Sequence, residues 1–403
     1  MSKIIFVNRF FYPDQSATSQ LLTDLAFDLA DNNESIEVIC SRQDYDSAAL
    51  QQKHQETVHG VNINRVRSTN FGRIWLPGRI MDYLSYFMGL IIQLIRIVKK
   101  DDIVVVKTDP PLCSILVYPI VKMKGGIQVN WVQDLFPEVA TALNIKLLPS
   151  IVAKMLQKLR NYSFKKSRLT VVIGQIMKEK LIAQGIPAEK IRILSNWADK
   201  NIVYPVSKQD NRLLEAWGLR GKFVVGYSGN LGRVHEFDEI IRAAQDLQDQ
   251  KDIMFVFIGN GPQKSSVEAA VSNLNLSNVI FFPYQDYQHL HDSISLPDVH
   301  LISLKPAIEG YCVPSKFYGV VAAAKPVIFI GDTQGEVANL LQNDASGIAV
   351  QSKDSQALSE AILHLYHQPQ EVQKMGQNAL NAFQTKYEKT HLLRHWREAL
   401  HQI

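Results

Sequence analysis

Twelve short, almost continuously apolar runs recur along this chain with helical stretches between them, and no other feature limits its fold so strongly. IIFV, IEVIC, VNINRV, DIVVVK, IQVNWVQ, LTVVIG and IRILSNW come first; FVVGYSG, MFVFIGNG, VIFFPY, VHLISL and PVIFIG follow. A strand apolar on both sides must be covered on both sides, which is the condition of a parallel sheet between helix layers. The pattern predicts an α/β fold. At 403 residues the chain exceeds one ordinary core and divides most economically into two domains of about 150–200 residues. Apolar periodicity lapses at NWADKNIVYPVSKQDN, residues 196–211, where Pro205 and polar residues intervene. The predicted domains are therefore 1–200 and 201–385. Residues 386–403 carry Leu392, Leu393, Trp396 and Leu400 at helical spacing, so this last helix must pack on something.

Bulk composition excludes several classes. The three cysteines, Cys40, Cys113 and Cys312, are too few and too scattered for a disulfide framework or a cysteine zinc site. Met1-Ser2-Lys3 runs straight into IIFV without a long apolar region or a small-residue cleavage site, so a cytoplasmic location is expected. The net charge of +4 hides an asymmetry: residues 1–200 hold 26 Lys/Arg against 18 Asp/Glu, and residues 201–403 hold 17 against 21. Most of the excess lies in Arg65–Lys100, with seven basic residues against Asp82, and in Lys146–Lys180, with nine against Glu179.

Such concentration predicts an anionic surface as partner. Nucleic acid is set aside, because no recognition motif or paired aromatic motif accompanies the charge. Anionic lipid of the inner membrane face fits better. In Arg79–Lys100 the apolar run Tyr83–Val98 is interrupted by Ser85, Gln93 and Arg96 and falls short of the roughly 20 residues of a membrane span. Two readings stay open: a buried helix of the first domain, or an amphipathic helix in a bilayer interface. In the second, Arg73, Arg79, Arg96, Lys99 and Lys100 meet headgroups and Trp75 anchors nearby.

Open parallel sheets bind ligands beyond the carboxyl ends of their strands. In the second domain those positions are Gly229-Asn230-Leu231-Gly232-Arg233-Val234-His235, Gly259-Asn260-Gly261, the stretch KPAIEGYCVPSKFYG, and Gly331 to Glu336. Glycines let backbone approach a ligand, and amides at a helix start favour phosphate oxygens. Any one such loop is an ordinary turn, but four on one edge predict a nucleotide with its phosphates. A helix is predicted from Pro314, which suits a first turn, and this places Ser315 and Lys316 among free amides. A cation is disfavoured there unless it meets an anion such as a diphosphate. Ala322, Ala323 and Ala324 read as close packing of this helix under the nucleotide. Glu309 either binds sugar hydroxyls or is merely solvated; Glu336, just after Gly335, either holds a ribose or caps its helix.

In the first domain, Ser16, Ala17 and Thr18 precede a helix and either cradle an acceptor phosphate or cap that helix. Asp134 and Glu138 flank Phe136-Pro137 at the end of a buried strand. A carboxylate there serves as a base or binds hydroxyls, with capping the alternative for Asp134.

These residues resemble the retaining glycosyltransferases of family 4, which have the GT-B fold. The likeness is to the bacterial capsule, O-antigen and exopolysaccharide branch, with its Asp-Leu-(Phe/Trp)-Pro-Glu and Pro-Ser-Lys-x-Tyr segments, here Asp134 to Glu138 and Pro314 to Tyr318. It extends from FYPDQSATSQLLTDLA through ILSNWAD, GYSGNLG, FIGNGP and AAAKPVI to SGIAV. The resemblance implies two Rossmann-like domains facing across a cleft, with the last helix crossing back to the N-terminal one. It further implies a nucleotide sugar, expected to be UDP-linked, bound by the second domain and a lipid-linked glycan acceptor bound by the first. Catalysis would need no metal or other cofactor, with Asp134, Glu309 and Lys316 as the catalytic candidates. Two departures stand out: Asn230 and His235 occupy the family's arginine and lysine positions, with Arg233 a partial replacement, and Gly319 falls where a second glutamate is common. A nucleotide-sugar epimerase or hydrolase of the same architecture, or a membrane-bound scaffold without catalysis, are the alternatives.

Overall fold

The computed structural model describes residues 2–43, 52–69, 71, 76–145 and 149–403. It divides into two units, Met1–Ser195 with Leu393–Ile403, and Asn196–Leu392.

The first unit begins with β1 (Ile4–Val7), α1 (Ala17–Asp31), β2 (Ile36–Ser41), β3 (Gln55–Val58), β4 (Val61–Val66) and the long α2 (Leu76–Ile97). It continues with β5 (Ile103–Lys107), α3 (Cys113–Lys124), β6 (Ile127–Trp131) and the short α4 (Glu138–Ala142). Then come α5 (Ser150–Lys166), β7 (Leu169–Val172), α6 (Gln175–Ala183) and β8 (Ile191–Ile193). Its sheet runs β3-β4-β2-β1-β5-β6-β7-β8, parallel except where β3 pairs antiparallel with β4. Central β1 is buried along its whole length, as a strand covered on both faces must be. Tyr86, Leu90, Leu94 and Val98 of α2 and its end join Val117 and Val121 of α3 on one face of this sheet. The sequence shows no apolar run at β3, whose QETV leaves alternate residues exposed at the sheet edge.

The second unit contains α7 (Arg212–Ala216), β9 (Phe223–Ser228), α8 (Asp238–Asp246), β10 (Ile253–Ile258), α9 (Lys264–Asn273) and β11 (Val279–Phe282). After these come α10 (Leu290–Ser295), β12 (Val299–Ser303), α11 (Lys316–Ala322), β13 (Val327–Gly331), α12 (Glu336–Asp344) and β14 (Gly347–Gln351). The chain ends with α13 (Ser355–His367), α14 (Pro369–Ala382) and α15 (Lys389–His401). The sheet order is β11-β10-β9-β12-β13-β14, with every pair parallel. Strand alternation divides the core: Val225 and Tyr227 face α8 and α13, whereas Val224 packs with Leu213 and Leu219.

From Leu393 onward α15 belongs to the first unit. Trp396 lies against Trp131 with ring centroids 4.5 Å apart, and Arg397 donates to both carboxylate oxygens of Asp28 at 2.6 Å. These contacts are what the apolar spacing of the last helix required.

The helix expected from Pro314 starts later. Ser315 is its N-cap, and α11 spans only seven residues, because Pro326 disfavours helical backbone at Lys325. Ala324, at φ 55°, turns the chain toward β13. A Cβ on Gly376 of α14 would stand 2.4 Å from the Ala324 carbonyl oxygen, so α14 closely approaches the turn that follows α11.

Candidate active site

Parallel β10, β9, β12 and β13 bring four loops to one sheet edge in the second unit. The first two are locked together by backbone. Leu231 N donates to Asn260 O at 2.9 Å and Gly229 N to Ile258 O at 2.9 Å. Gly259 and Gly261 take φ of 143° and 154°, and a Cβ on Gly259 would stand 2.1 Å from Gly229 O. Glycine is required here by loop packing. Gln263 ties the pair further, donating from Nε2 to Gly232 O at 2.6 Å and His235 O at 3.1 Å.

Lys316 reaches this double turn from the start of α11. Its ammonium nitrogen is buried and makes no hydrogen bond, although the residue as a whole is only partly covered. It lies 3.5 Å from the Tyr227 ring centroid and 3.6 Å from where a Gly229 Cβ would stand. The ring face attracts the cation but supplies no hydrogen-bond acceptor. Burial holds the Lys316 amine well below the ordinary lysine range. An unpaired buried charge costs several kcal/mol, and an anion at the Gly229 turn would recover that cost.

His235 is buried beneath the same turn, with Nδ1 donating to the Ser303 carbonyl. Burial, reinforced by the Lys316 charge, holds its pKa down to about 3, so the ring is neutral. The remaining nitrogen, Nε2, is then an acceptor suited to a hydroxyl rather than a phosphate. Arg233 and Asn230 are exposed.

The third and fourth loops meet at a carboxylate. Glu309 is buried, and its Oε1 accepts from Glu336 N at 2.9 Å and Gly310 N at 3.2 Å. Glu309 therefore satisfies an amide at the start of α12 and, being buried, is not merely solvated. Desolvation raises its pKa, against which the amides pull. Gly335 makes this possible, since a Cβ there would stand 2.4 Å from Glu309 Oε2. Glu336 is also buried and acts electrostatically on Tyr318 and Tyr387. Pro314 is buried and Ser315 exposed. At Gly319 an added Cβ would meet only Ile294 Cδ1, at 3.4 Å.

In the first unit, β1, β5 and β6 bring a second set of groups together. Thr108 Oγ1 accepts from Gln133 N at 3.0 Å and Asp134 N at 3.3 Å. Asp134 opens to solvent yet lines a small cavity of ≈ 10 Å³ with Lys107, Thr108, Asn130 and Arg160. Surrounding protein, then the charge of Asp109, pushes its pKa up to about 6. Lys107 is buried, its Nζ donating to Thr18 O at 2.9 Å and lying 3.7 Å from the Trp131 ring centroid. Burial brings it down to about 7.

Ser16 spends both its amide and its hydroxyl on Asp14 Oδ1, and Ala17 is exposed. Glu138 is engaged at both oxygens: Arg160 grips the two, at 2.5 and 2.8 Å, and Gln157 and Gln184 add bonds at 2.8 and 3.0 Å. Three of these donors fall on Oε1 and one on Oε2, so the side chain is held structurally and only Oε2 keeps a lone pair to spare. Lys107, Tyr227 and Arg160 escaped sequence reasoning. For Lys107 a signal existed, a lysine closing the apolar strand IVVVK beside the loop KTDPPL.

Among the described residues no group of three His, Cys, Asp or Glu could hold a metal ion. The Asp-x-Asp spacing of Asp44 and Asp46 lies outside those residues.

Residues 211–382 match the family described as glycosyl transferases group 1. The probable glycosyltransferase WbjE of Pseudomonas aeruginosa is 26% identical over 265 residues, covering 66% of each chain. The putative colanic acid biosynthesis glycosyl transferase WcaI of Escherichia coli K12 is 28% identical over 180 residues, 44% of each. The chain thus spans about two thirds of the first relative's length and under half of the second's. Among solved structures, Anabaena Alr3699/HepE in complex with UDP and glucose superposes with a TM-score of 0.76 at 15% identity over 100% of both chains. WaaG, described as a glycosyltransferase involved in lipopolysaccharide biosynthesis, gives 0.68 at 13% identity over 95% of both. Two Rossmann-like α/β units in the GT-B fold carry this sequence, and its residues 211–382, less than half of the chain, resemble the glycosyl transferases group 1 family.

Proposed function

We propose that the protein is a retaining, metal-independent hexosyltransferase of family 4 that moves a sugar from a UDP-linked donor to a polyprenyl-diphosphate-linked saccharide in bacterial surface-polysaccharide synthesis. The carrying observation is the Lys316 ammonium, buried without an acceptor at the Gly229 turn. The names of WbjE and WcaI, and the UDP bound to HepE, point the same way.

In the transfer, the bond between the sugar's anomeric carbon and the diphosphate oxygen breaks, and UDP leaves with the electron pair. The anomeric carbon bonds to the acceptor hydroxyl on the same face, and that hydroxyl's proton passes to the departing phosphate oxygen. Charge grows on the diphosphate in the transition state, where a preorganised cation at Lys316 contributes most. Neutral His235 accepts from a donor hydroxyl. Glu309 holds the start of α12, and Asp134 orients the acceptor hydroxyl.

The test is a screen of nucleotide sugars with a lipid-diphosphate-linked acceptor, read by mass spectrometry. Acceptor-dependent release of UDP with a lengthened glycan is expected. An isomerised donor formed without acceptor, or no UDP binding by calorimetry, overturns the reading.

A further inference from the structure

Helices α2, α3 and α5 lie side by side, α3 packing against both of the others. Their inward faces are occupied: Tyr86, Leu90 and Leu94 of α2 are fully buried against the sheet, and Phe164 and Ser163 of α5 are buried. Outward, α2 exposes Met81, Leu84, Met88, Ile92 and Ile95, each 42% or more accessible. On α5, Ile151, Met155, Leu159 and Tyr162 are exposed, Ile151 to 79%. The spacing of three and four residues places each set in one stripe. Met123, near the end of α3, is 69% exposed between them.

This layer presents no carboxylate. Asp82, the sole acid in the three helices, is buried and accepts from Thr69 Oγ1 and Phe71 N. Lys154, Lys158, Lys165 and Lys166 instead flank the α5 stripe, exposed, and Arg96 does so on α2. At the ends of α3 and α5 the layer adjoins a groove of ≈ 890 Å³ lined by Lys122, Lys166, Arg168, Lys178, Lys190 and Arg192, with Glu189 its only acid. Among the described residues, none of these six basic side chains is in an ion pair.

Contiguous apolar surface of this kind, rimmed by one sign of charge, marks an interaction site. A protein partner would need matching acidic groups around an apolar centre. An anionic bilayer supplies both at once, phosphates at the surface and hydrocarbon below them. By length and composition α2 could cross a membrane, but its inner face, with Tyr86, Leu90 and Leu94, packs in the core, which favours docking over spanning. We propose that the outer face of α2, α3 and α5 docks on an anionic lipid bilayer, with both stripes entering the headgroup boundary and the groove holding lipid phosphates. Of the residues first placed at such a surface, Arg73 and Trp75 lie outside the described residues, as does the Arg79 side chain. The α5 stripe was not legible in the sequence as an interfacial face.

Flotation tests this with vesicles of phosphatidylcholine and phosphatidylglycerol in equal parts, and with phosphatidylcholine alone. The full chain is expected to float with the anionic vesicles, less so in high salt, and weakly with the neutral ones. Met88→Glu combined with Met155→Glu should abolish flotation while UDP binding and the thermal midpoint stay unchanged. Lys166→Glu with Arg168→Glu should remove the preference for anionic lipid. Failure to float with either vesicle overturns the proposal, as does unaltered flotation of the Met variant. So does sedimentation as a dimer that the Met variant dissociates, which would assign the face to a second copy. Flotation reads docking alone, so its failure leaves the sugar-transfer proposal standing, and failed transfer leaves docking standing.

Discussion

The Lys316 ammonium lies 3.5 Å from the centroid of the Tyr227 ring and has no hydrogen-bond acceptor. A cation held by a ring face alone is poised for an anion and costly without one. Lys316→Met should therefore raise the stability of the ligand-free protein by about 1–2 kcal/mol, as removal of a functional strain often does. The same change should weaken UDP binding by about 1.5–3 kcal/mol, the worth of a hydrogen bond to a charged group. Thermal denaturation with and without UDP checks both at once, since the UDP-induced rise in Tm should shrink as the baseline climbs.

Lys107 opposes folding while it is charged. Its folded pKa of about 7 lies below the ordinary 10.5, so between those values the unfolded chain binds the extra proton and stability rises with pH. Below about 7 the opposition is complete. Urea midpoints measured across this window should climb for the native protein, and Lys107→Met should flatten the climb relative to it.

Asp134 titrates near pH 6, so an ionised carboxylate that orients the acceptor would be lost on acidification. The transfer rate should fall through an acidic limb centred near that value. Asp134→Asn should remove the limb and lower kcat by about 10²-fold, the cost of misplacing a reacting group. A limb that survives the substitution assigns it to another residue.

Two glycines on neighbouring segments should respond oppositely to alanine. At Gly335 the new Cβ meets Glu309 Oε2 at 2.4 Å, displacing the carboxylate from its amides at a cost of about 1–3 kcal/mol. In α11, Gly319 offers only Ile294 Cδ1 at 3.4 Å, and alanine gains about 0.5–1 kcal/mol of helix stability. Chemical denaturation of the two variants decides it.

Glu138 and Arg160 form a bidentate pair with side chains 9% and 3% exposed. Arg160→Met strands the carboxylate and should destabilise by about 3–5 kcal/mol. Glu138→Gln should lower stability without changing the acceptor KM, whereas a tenfold rise in KM would assign Glu138 to acceptor binding.

The strands were legible because parallel sheets leave unbroken apolar runs, as at Phe255–Ile258. At an edge that signal fades: β3 alternates polar residues and escaped notice. The four loops on one edge followed from strand order, but what their glycines do did not. Gly259 and Gly261 let two loops close on each other, and Gly335 shelters a carboxylate, facts that depend on chain segments distant in sequence. The engagement of Glu138 was hidden for the same reason, because Arg160 and Gln184 lie 22 and 46 residues away. A carboxylate's partners, not its neighbours in the motif, decide whether it is free.

Trp396 covers Trp131 from a segment that follows the entire second unit in the chain. During synthesis, residues 196–392 emerge with all of their own unit present, while the unit begun first still lacks its last helix. The earlier domain to be translated is the later one to be completed. Until then the Trp131 ring and the Asp28 carboxylate lack their covers, so the nascent first unit presents an unfinished surface for as long as it takes the ribosome to translate the second.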